Sequence, residues 1–372
     1  MRIRLRPIIK WTAATILLAL ILSIFAGLAT YWTSTNECDR KTAANNPMKA
    51  IVHCEYGGPD VLKVEDVEKP TPADNQILVK VRAASVNPLD LTIRGPRPLR
   101  PLFGMRKPKD TRLGVDYAGT VEAVGKNVTQ FKPGDEVFGG KTGAFAEYIC
   151  VLADRAVVLK PANMTFEQAA SVPVAAITAL QGLRDKGKIQ AGQKVLINGA
   201  SRGVGTFAVQ IAKSFGTEVT GVCGTRNVDL VRSIGADHVI DYTKEDFTKS
   251  EQRYDLIYDL IGNHSFSERW RILNPDGICV MAGIGGAGWH EGFASRLLGE
   301  LNAYVRSRFV SQKFVAYIAA FNKADMTILA DLLQSGKITP VIDRTYKLSE
   351  TPDALRYLEQ RHAREKIVIA VE

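Results

Sequence analysis

The sequence predicts an α/β protein of two lobes, a β-rich one followed by a doubly wound parallel sheet, with an apolar transmembrane helix ahead of both. Three observations predict it. A short apolar run from Lys194 feeds a glycine-rich turn that opens directly into an amphipathic helix reaching Lys213. Strand-like and helix-like segments then alternate: Glu218 to Cys223, Arg226 to Ile234, His238 to Tyr242 and Tyr254 to Leu260. That alternation implies a parallel sheet. Before the turn, from Met48, short β segments (Met48 to Cys54, Gln76 to Val86, Asp116 to Gly125, Ala144 to Leu152) are separated by Gly/Pro-rich turns, with Ala169 to Lys186 reading as a helix into the second lobe.

The glycine-rich turn carries the chemistry. In Gly199-Ala-Ser-Arg-Gly203-Val-Gly205-Thr-Phe-Ala208, the residues Gly203, Gly205 and Ala208 fit the G-x-G-x-x-G/A pattern. They predict a tight turn, a backbone close to a pyrophosphate, and a small residue where helix meets strand. The diphosphate of a dinucleotide would then face free N–H groups at the helix start. The end of the second strand selects the dinucleotide, because an Asp or Glu there would hold the ribose hydroxyls of NAD. This chain has Cys223-Gly224-Thr225-Arg226 instead. Thr225 offers a hydrogen bond and Arg226 a charge-assisted contact to a 2′-phosphate, which favours NADPH. The alternative is that Arg226 is a solvated residue opening the next helix.

The 372 residues exceed one ordinary domain, and 46% hydrophobic with 23% charged residues is the balance of a globular chain. We divide it at 1–47 (basic segment, anchor and linker), 48–170 (β-rich lobe), 171–336 (dinucleotide lobe) and 337–372 (return to the first lobe). The net charge of +9 is scattered, and neither a binding module nor an aromatic stacking signature accompanies it, so no nucleic-acid partner is expected. The five cysteines, Cys38, Cys54, Cys150, Cys223 and Cys279, form no C-x-x-C pair. They read as reduced structural thiols, which fits a reducing compartment.

Arg2, Arg4, Arg6 and Lys10 precede an uncharged apolar run from Trp11 to Trp32. About 20 apolar residues are needed to span a bilayer, so the run reads as a retained single-pass anchor, with cleavage after Ala29 as the alternative. Thr33 to Pro47 reads as a linker. The basic cluster argues for an internal N-terminus and hence an external body, whereas NADPH argues for a cytosolic one. The side is left open.

Several segments together resemble the medium-chain dehydrogenase/reductase superfamily and, within it, the zinc-free quinone oxidoreductase group. They are Tyr56-Gly-Gly-Pro-Asp-Val-Leu62, Ala83-Ala-Ser-Val-Asn-Pro-Leu-Asp90, Gly114-Val-Asp-Tyr-Ala-Gly-Thr-Val121, Phe131-Lys-Pro-Gly-Asp135, the glycine turn, and Gly235-Ala-Asp-His-Val-Ile-Asp-Tyr242. The resemblance covers Met48 to Glu372 and implies a GroES-like catalytic lobe, split in sequence, around a Rossmann domain. It implies that Gly199, Ser201, Gly203, Val204 and Gly205 meet the diphosphate region, Thr225 and Arg226 the 2′-phosphate, and Tyr242 the adenosine side. The segment His362-Ala-Arg-Glu-Lys366 is similar to the family's His-Ala-Arg-Gly-Lys, whose Lys approaches the cofactor. Glu365 in place of the glycine puts the backbone geometry there in question. Relatives are often dimers, so a homodimer is implied as well.

The zinc-dependent members present Cys where this chain has Asn87, and Gly-His-Glu where it has Gly114-Val115-Asp116. A catalytic zinc needs about three ligands from Cys, His or carboxylate, so no metal site is expected. Without a Lewis acid, saturated carbonyl chemistry is harder, while a quinone or enone spreads the negative charge over its own conjugated oxygen. Asn87 is the expected polar contact at the nicotinamide or acceptor. Asp90 is a second candidate, or else it holds the turn at Pro88. The resulting expectation is an NADPH-dependent quinone or enone oxidoreductase. A reductase of small soluble carbonyls and an NADPH-binding interaction protein stand as alternatives. Gly285 to Ser311 is expected to wall the pocket or to pack at a subunit contact, and Thr92 to Asp110 to form an exposed loop at its mouth.

Overall fold

Period-two apolar patterning builds the first lobe around one long strand. The computed structural model describes residue 38, residues 44–95, residue 100, and residues 104–282, 311–360 and 365–372. Pro47–Val52 (β1) and Lys63–Glu68 (β2) pair antiparallel in a small sheet of their own. Gln76–Val86 (β3) is the central strand of the larger sheet. Asp116–Val124 (β4) pairs along one edge of β3, followed by Glu136–Gly140 (β5); Tyr148–Leu152 (β6) joins the first half of β3, and Val157–Leu159 (β7) closes on β5. Ile51, Val79, Val81, Tyr117 and Phe145 fill the core of this lobe.

Two short helices lead out of it, Phe166–Ala170 (α1) and Pro173–Leu180 (α2), continued by a π turn over Gln181–Lys186. The single helix expected from Ala169 to Lys186 is thus broken. Pro173 lacks the N–H that would continue the hydrogen-bond ladder of α1, so it stands at the first position of a new helix, even though Val172 before it has helical backbone (φ −87°, ψ −50°).

The second lobe runs Lys194–Asn198 (β8), Gly203–Ser214 (α3), Glu218–Cys223 (β9), Val228–Ser233 (α4), His238–Asp241 (β10), Tyr254–Asp259 (β11), Phe266–Arg271 (α5), Leu273–Ala282 (β12), Lys313–Tyr317 (β13) and Lys323–Gln334 (α6). Its six strands are all parallel in the order β10-β9-β8-β11-β12-β13. The order reverses between β8 and β11, and a ligand of such a sheet binds in the crevice at the carboxyl ends of those strands. The chain then returns: Ile342–Lys347 (β14), Thr351–Glu359 (α7) and Lys366–Ala370 (β15), with β15 antiparallel to the second half of β3. One apolar cluster runs through both lobes, joining Ala83, Ala118 and Val368 of the first to Ile177, Val195 and Phe207 of the second. The switch point of the parallel sheet therefore faces the end of β3.

One expectation is corrected. Cys38 and Cys54 form a disulfide across a separation of 16 residues, while Cys150 is half-buried and Cys223 and Cys279 are buried free thiols. The pairing carried no short-spacing signal, because β1 brings Cys54 to the linker only in the folded chain. The expected anchor, and the expected pocket wall from Gly285 to Ser311 apart from Ser311 itself, lie outside the described residues. Among those described, no helix is long and apolar enough to cross a membrane.

Candidate active site

The glycine turn leaves the carboxyl end of β8, next to the carboxyl end of β11. Gly199 has φ +94°, and its N–H and that of Ala200 both donate to Val222 O on β9, at 3.1 and 3.0 Å. The tight turn thus belongs to Gly199 rather than Gly203, which opens α3 with ordinary backbone. A Cβ on Gly205 would stand 2.1 Å from Gly199 O, so this glycine lets the helix close on the turn. No side chain caps α3, whose Ncap is Arg202, and Gly203 and Val204 are partly exposed at its start. Ser201 is buried and accepts a hydrogen bond from Asn227 Nδ2 at 3.1 Å, which ties the turn to the loop after β9. A cradle this close, ending in uncapped N–H groups, fits a diphosphate.

At the end of β9, Thr225 and Arg226 are both exposed. No carboxylate follows β9 in sequence, but the parallel register sets Asp241 of β10 opposite Cys223. Thr225 Oγ1 donates to Asp241 Oδ2 at 2.6 Å, and Thr243 donates its N–H and hydroxyl to Oδ1. The Thr225 hydrogen bond, followed by those from Thr243, holds the Asp241 carboxyl down to about 2. The Thr225 hydroxyl proton is therefore committed, and two exposed cations flank this corner, Arg226 and Lys244, the latter 3.6 Å from Asp241 Oδ2. Tyr242 is exposed, with its hydroxyl 3.2 Å from where a Cβ on Gly224 would lie.

Where β3, β4 and β15 meet, Ser85, Asn87, Asp90, Asp116 and Lys366 are all buried. Lys366 Nζ donates to Asn87 Oδ1 at 2.7 Å and lies 3.3 Å from Asp116 Oδ2 and 3.4 Å from Val86 O. Asn87 Nδ2 donates to Asp116 Oδ2 at 3.0 Å and Ser85 O at 3.3 Å. Both amide hydrogens of Asn87 are thus engaged within the protein. Asp90 does hold the turn. Its Oδ2 accepts from Asn87 N at 2.7 Å and its Oδ1 from Gly114 N at 3.0 Å, while burial, opposed by these two bonds, pushes the carboxyl up to about 7. The stem of Lys366 lies against the cradle, since a Cβ on Gly203 would stand 3.0 Å from its Cδ. The cation and the diphosphate turn thus share one crevice.

Sequence reasoning missed Ser85, passed over Asp116 as a lone carboxylate, and missed the floor of the switch point. There Asn198 Nδ2 donates to Asp259 Oδ1 at 2.9 Å, and the buried Arg269 lies 3.6 Å from Asp259 Oδ2. Asn198 and Asp259 are the last residues of neighbouring parallel strands. That place in the predicted sheet was the available signal. Two surface hollows, of about 420 and 650 Å³, involve none of these groups.

Two family descriptions match the chain: "Alcohol dehydrogenase GroES-like domain" over residues 73–162 and "Zinc-binding dehydrogenase" over residues 234–369. The NAD(P)H oxidoreductase RTN4IP1, mitochondrial, of Mus musculus is 34% identical over 369 residues, covering 89% of this chain and 91% of the relative. An Arabidopsis thaliana protein, NADPH-dependent alkenal/one oxidoreductase, chloroplastic, is 33% identical over 337 residues, covering 87% and 79%. The solved quinone oxidoreductase from Coxiella burnetii superposes with a TM-score of 0.76 at 30% identity, covering 88% of this chain and all of that one. Among the described residues the zinc of the second description finds no matching donors. The buried polar set is Ser85, Asn87, Asp90 and Asp116 with an ammonium among them, and no group of three His, Cys, Asp or Glu among the described residues could hold a metal.

Proposed function

Because the chain belongs to the medium-chain dehydrogenase/reductase superfamily, we propose that it is a zinc-independent, NADPH-dependent oxidoreductase that transfers hydride to quinones or α,β-unsaturated carbonyls. One observation carries the reading. The ammonium of Lys366, 2.7 Å from Asn87 Oδ1, stands at the end of β3 beside the diphosphate cradle. Its three N–H donors already face Asn87 Oδ1, Asp116 Oδ2 and Val86 O, so it would stabilise a developing oxyanion through its charge, less strongly than a coordinated metal polarises an isolated carbonyl. A conjugated acceptor matches that weaker stabiliser, because its own π system carries part of the charge.

NADPH supplies the hydride when bound. The start of α3, with Gly203, Val204 and Gly205 following Gly199 and Ser201, binds its diphosphate through backbone N–H groups. Arg226 takes the 2′-phosphate, Thr225 braces that corner through Asp241, and Tyr242 flanks the adenosine side. Asn87 orients Lys366, and Asp90 holds the turn that carries Asn87.

The uncharged run from Trp11 to Trp32 supports a single-pass tether to a membrane, where lipid-soluble quinones dissolve. Cys38 follows Trp32 by only six residues, roughly 20 Å of fully extended chain. Its disulfide to Cys54 therefore keeps the catalytic lobe near the lipid.

The test is oxidation of NADPH and NADH by the full-length chain with a short-chain quinone, an enone and a saturated aldehyde, each with and without a chelator. NADPH-selective, chelator-insensitive reduction of the conjugated acceptors is the expected outcome. Tight NADPH binding without turnover on any acceptor would instead favour a binding protein.

A further inference from the structure

Asp116 has no role in the reading so far, yet it is the most heavily hydrogen-bonded carboxylate of the crevice. It is fully buried. Its Oδ2 accepts from Ser85 Oγ at 2.9 Å and Asn87 Nδ2 at 3.0 Å and pairs with Lys366 Nζ at 3.3 Å, while its Oδ1 accepts from Val174 N at 2.9 Å. These donors come from four separate pieces of chain: the end of β3, the turn after it, β15, and the first turn of α2. A carboxylate offers about four lone-pair sites; here Oδ2 is crowded by three donors and Oδ1 is held by one. Because the side chain is fully buried among these partners, Asp116 acts through its neighbours.

The neighbours it governs are those of the reaction. Among the described residues, Asp116 is the only carboxylate within ion-pair distance of Lys366. It also fixes the Asn87 amide, because Nδ2 must face the carboxylate for Oδ1 to face the ammonium. We propose that Asp116 is the positioning residue of this enzyme, holding Lys366 and Asn87 in working orientation and locking that arrangement to α2 at the lobe boundary; the proposal rests on the oxidoreductase reading above.

The test is a double-mutant cycle on the full-length chain with Asp116→Asn, Lys366→Met and both together. It reads kcat and KM for a short-chain quinone and the NADPH dissociation constant by nicotinamide fluorescence. Asp116→Asn should lower kcat about tenfold or more with a smaller change in KM. The double variant should lose no more than the worse single one, because both changes abolish the same arrangement. Losses that multiply, or a kcat retained in Asp116→Asn, would overturn the proposal. Should the wild type reduce no acceptor, the functional reading falls by itself. The same cycle on the NADPH dissociation constant then decides for Asp116, with non-additivity supporting it and additivity overturning it. Asp116→Asn leaves a buried ammonium unpaired and can fail to fold for that reason, but the double variant removes that charge as well. A double variant that still fails to fold would make Asp116 a scaffold residue and overturn the proposal.

Discussion

Tyr117 buries a hydroxyl that no group among the described residues pairs, and burial raises its pKa well above the ordinary value. An unpaired buried hydroxyl costs about 1–3 kcal/mol. Tyr117→Phe is therefore expected to stabilise the first lobe by about 1 kcal/mol, and a lower midpoint in chemical denaturation would contradict this. Asp90 gives a pH signature. Its carboxyl is raised from 3.8 to about 7 in the fold, so between these values the folded state keeps a proton that the unfolded chain has lost. Stability from this group is present at low pH and falls as pH rises through that window. Asp90→Asn should remove the decline, read as the difference in unfolding free energy from wild type at pH 5 and pH 8. The two backbone N–H bonds to Asp90 should make the variant less stable than wild type at both. Arg226→Ala tests the 2′-phosphate corner. A charge-assisted hydrogen bond contributes about 1.5–3 kcal/mol, so NADPH affinity should fall by about 10- to 100-fold with NADH affinity nearly unchanged. Equal losses for the two dinucleotides would remove Arg226 from that role.

Among the elements, α3 depends most on a single residue. Gly205→Ala would drive a methyl group to 2.1 Å from Gly199 O, which is backbone and cannot swing aside. The helix start must shift, and NADPH binding should weaken by tenfold or more, on the order of 1.4 kcal/mol, whereas Gly216→Ala at the far end of the helix should leave affinity unchanged. The glycine spacing made this cradle legible in sequence, because only glycine permits such an approach. It did not reveal that Gly199, not Gly203, takes the left-handed turn, since spacing records where glycines lie and not their dihedral angles. Strands β3 and β9 match their predicted bounds because each is an apolar-rich run bounded by polar or glycine residues, whereas the α1–α2 break depended on Pro173 within an otherwise helical pattern. Asp116 and Asp241 were hidden for another reason. Each does its work through strand register, Asp241 beside Thr225 and Asp116 beside Asn87, and register pairs residues far apart in the chain.

At the scale of the whole molecule, the two-lobe division was legible because the alternation of strands and helices begins only after residue 190, and the parallel order follows from that alternation. The return of β15 to β3 came from the family resemblance alone. The Cys38–Cys54 disulfide was not legible, and it bears on where the molecule works. Disulfides persist in oxidising compartments, so, on the proposed tether, the pairing and the basic cluster at Arg2, Arg4, Arg6 and Lys10 would both favour a catalytic body across the membrane from the N-terminus. The three remaining thiols do not weaken that inference: burial pushes Cys150 and Cys223 up to about 11 and makes them poor nucleophiles, and Cys279 is fully buried. The expected result follows for sealed cells or organelles treated with a membrane-impermeant phosphine and then an impermeant maleimide. Cys38 and Cys54 should be labelled without detergent, and labelling should require the phosphine. A body on the cytosolic side would be labelled only after permeabilisation. In that case the disulfide, whose two cysteines are only half-buried, would have to survive thiol reductants, and the NADPH supply would need no separate source.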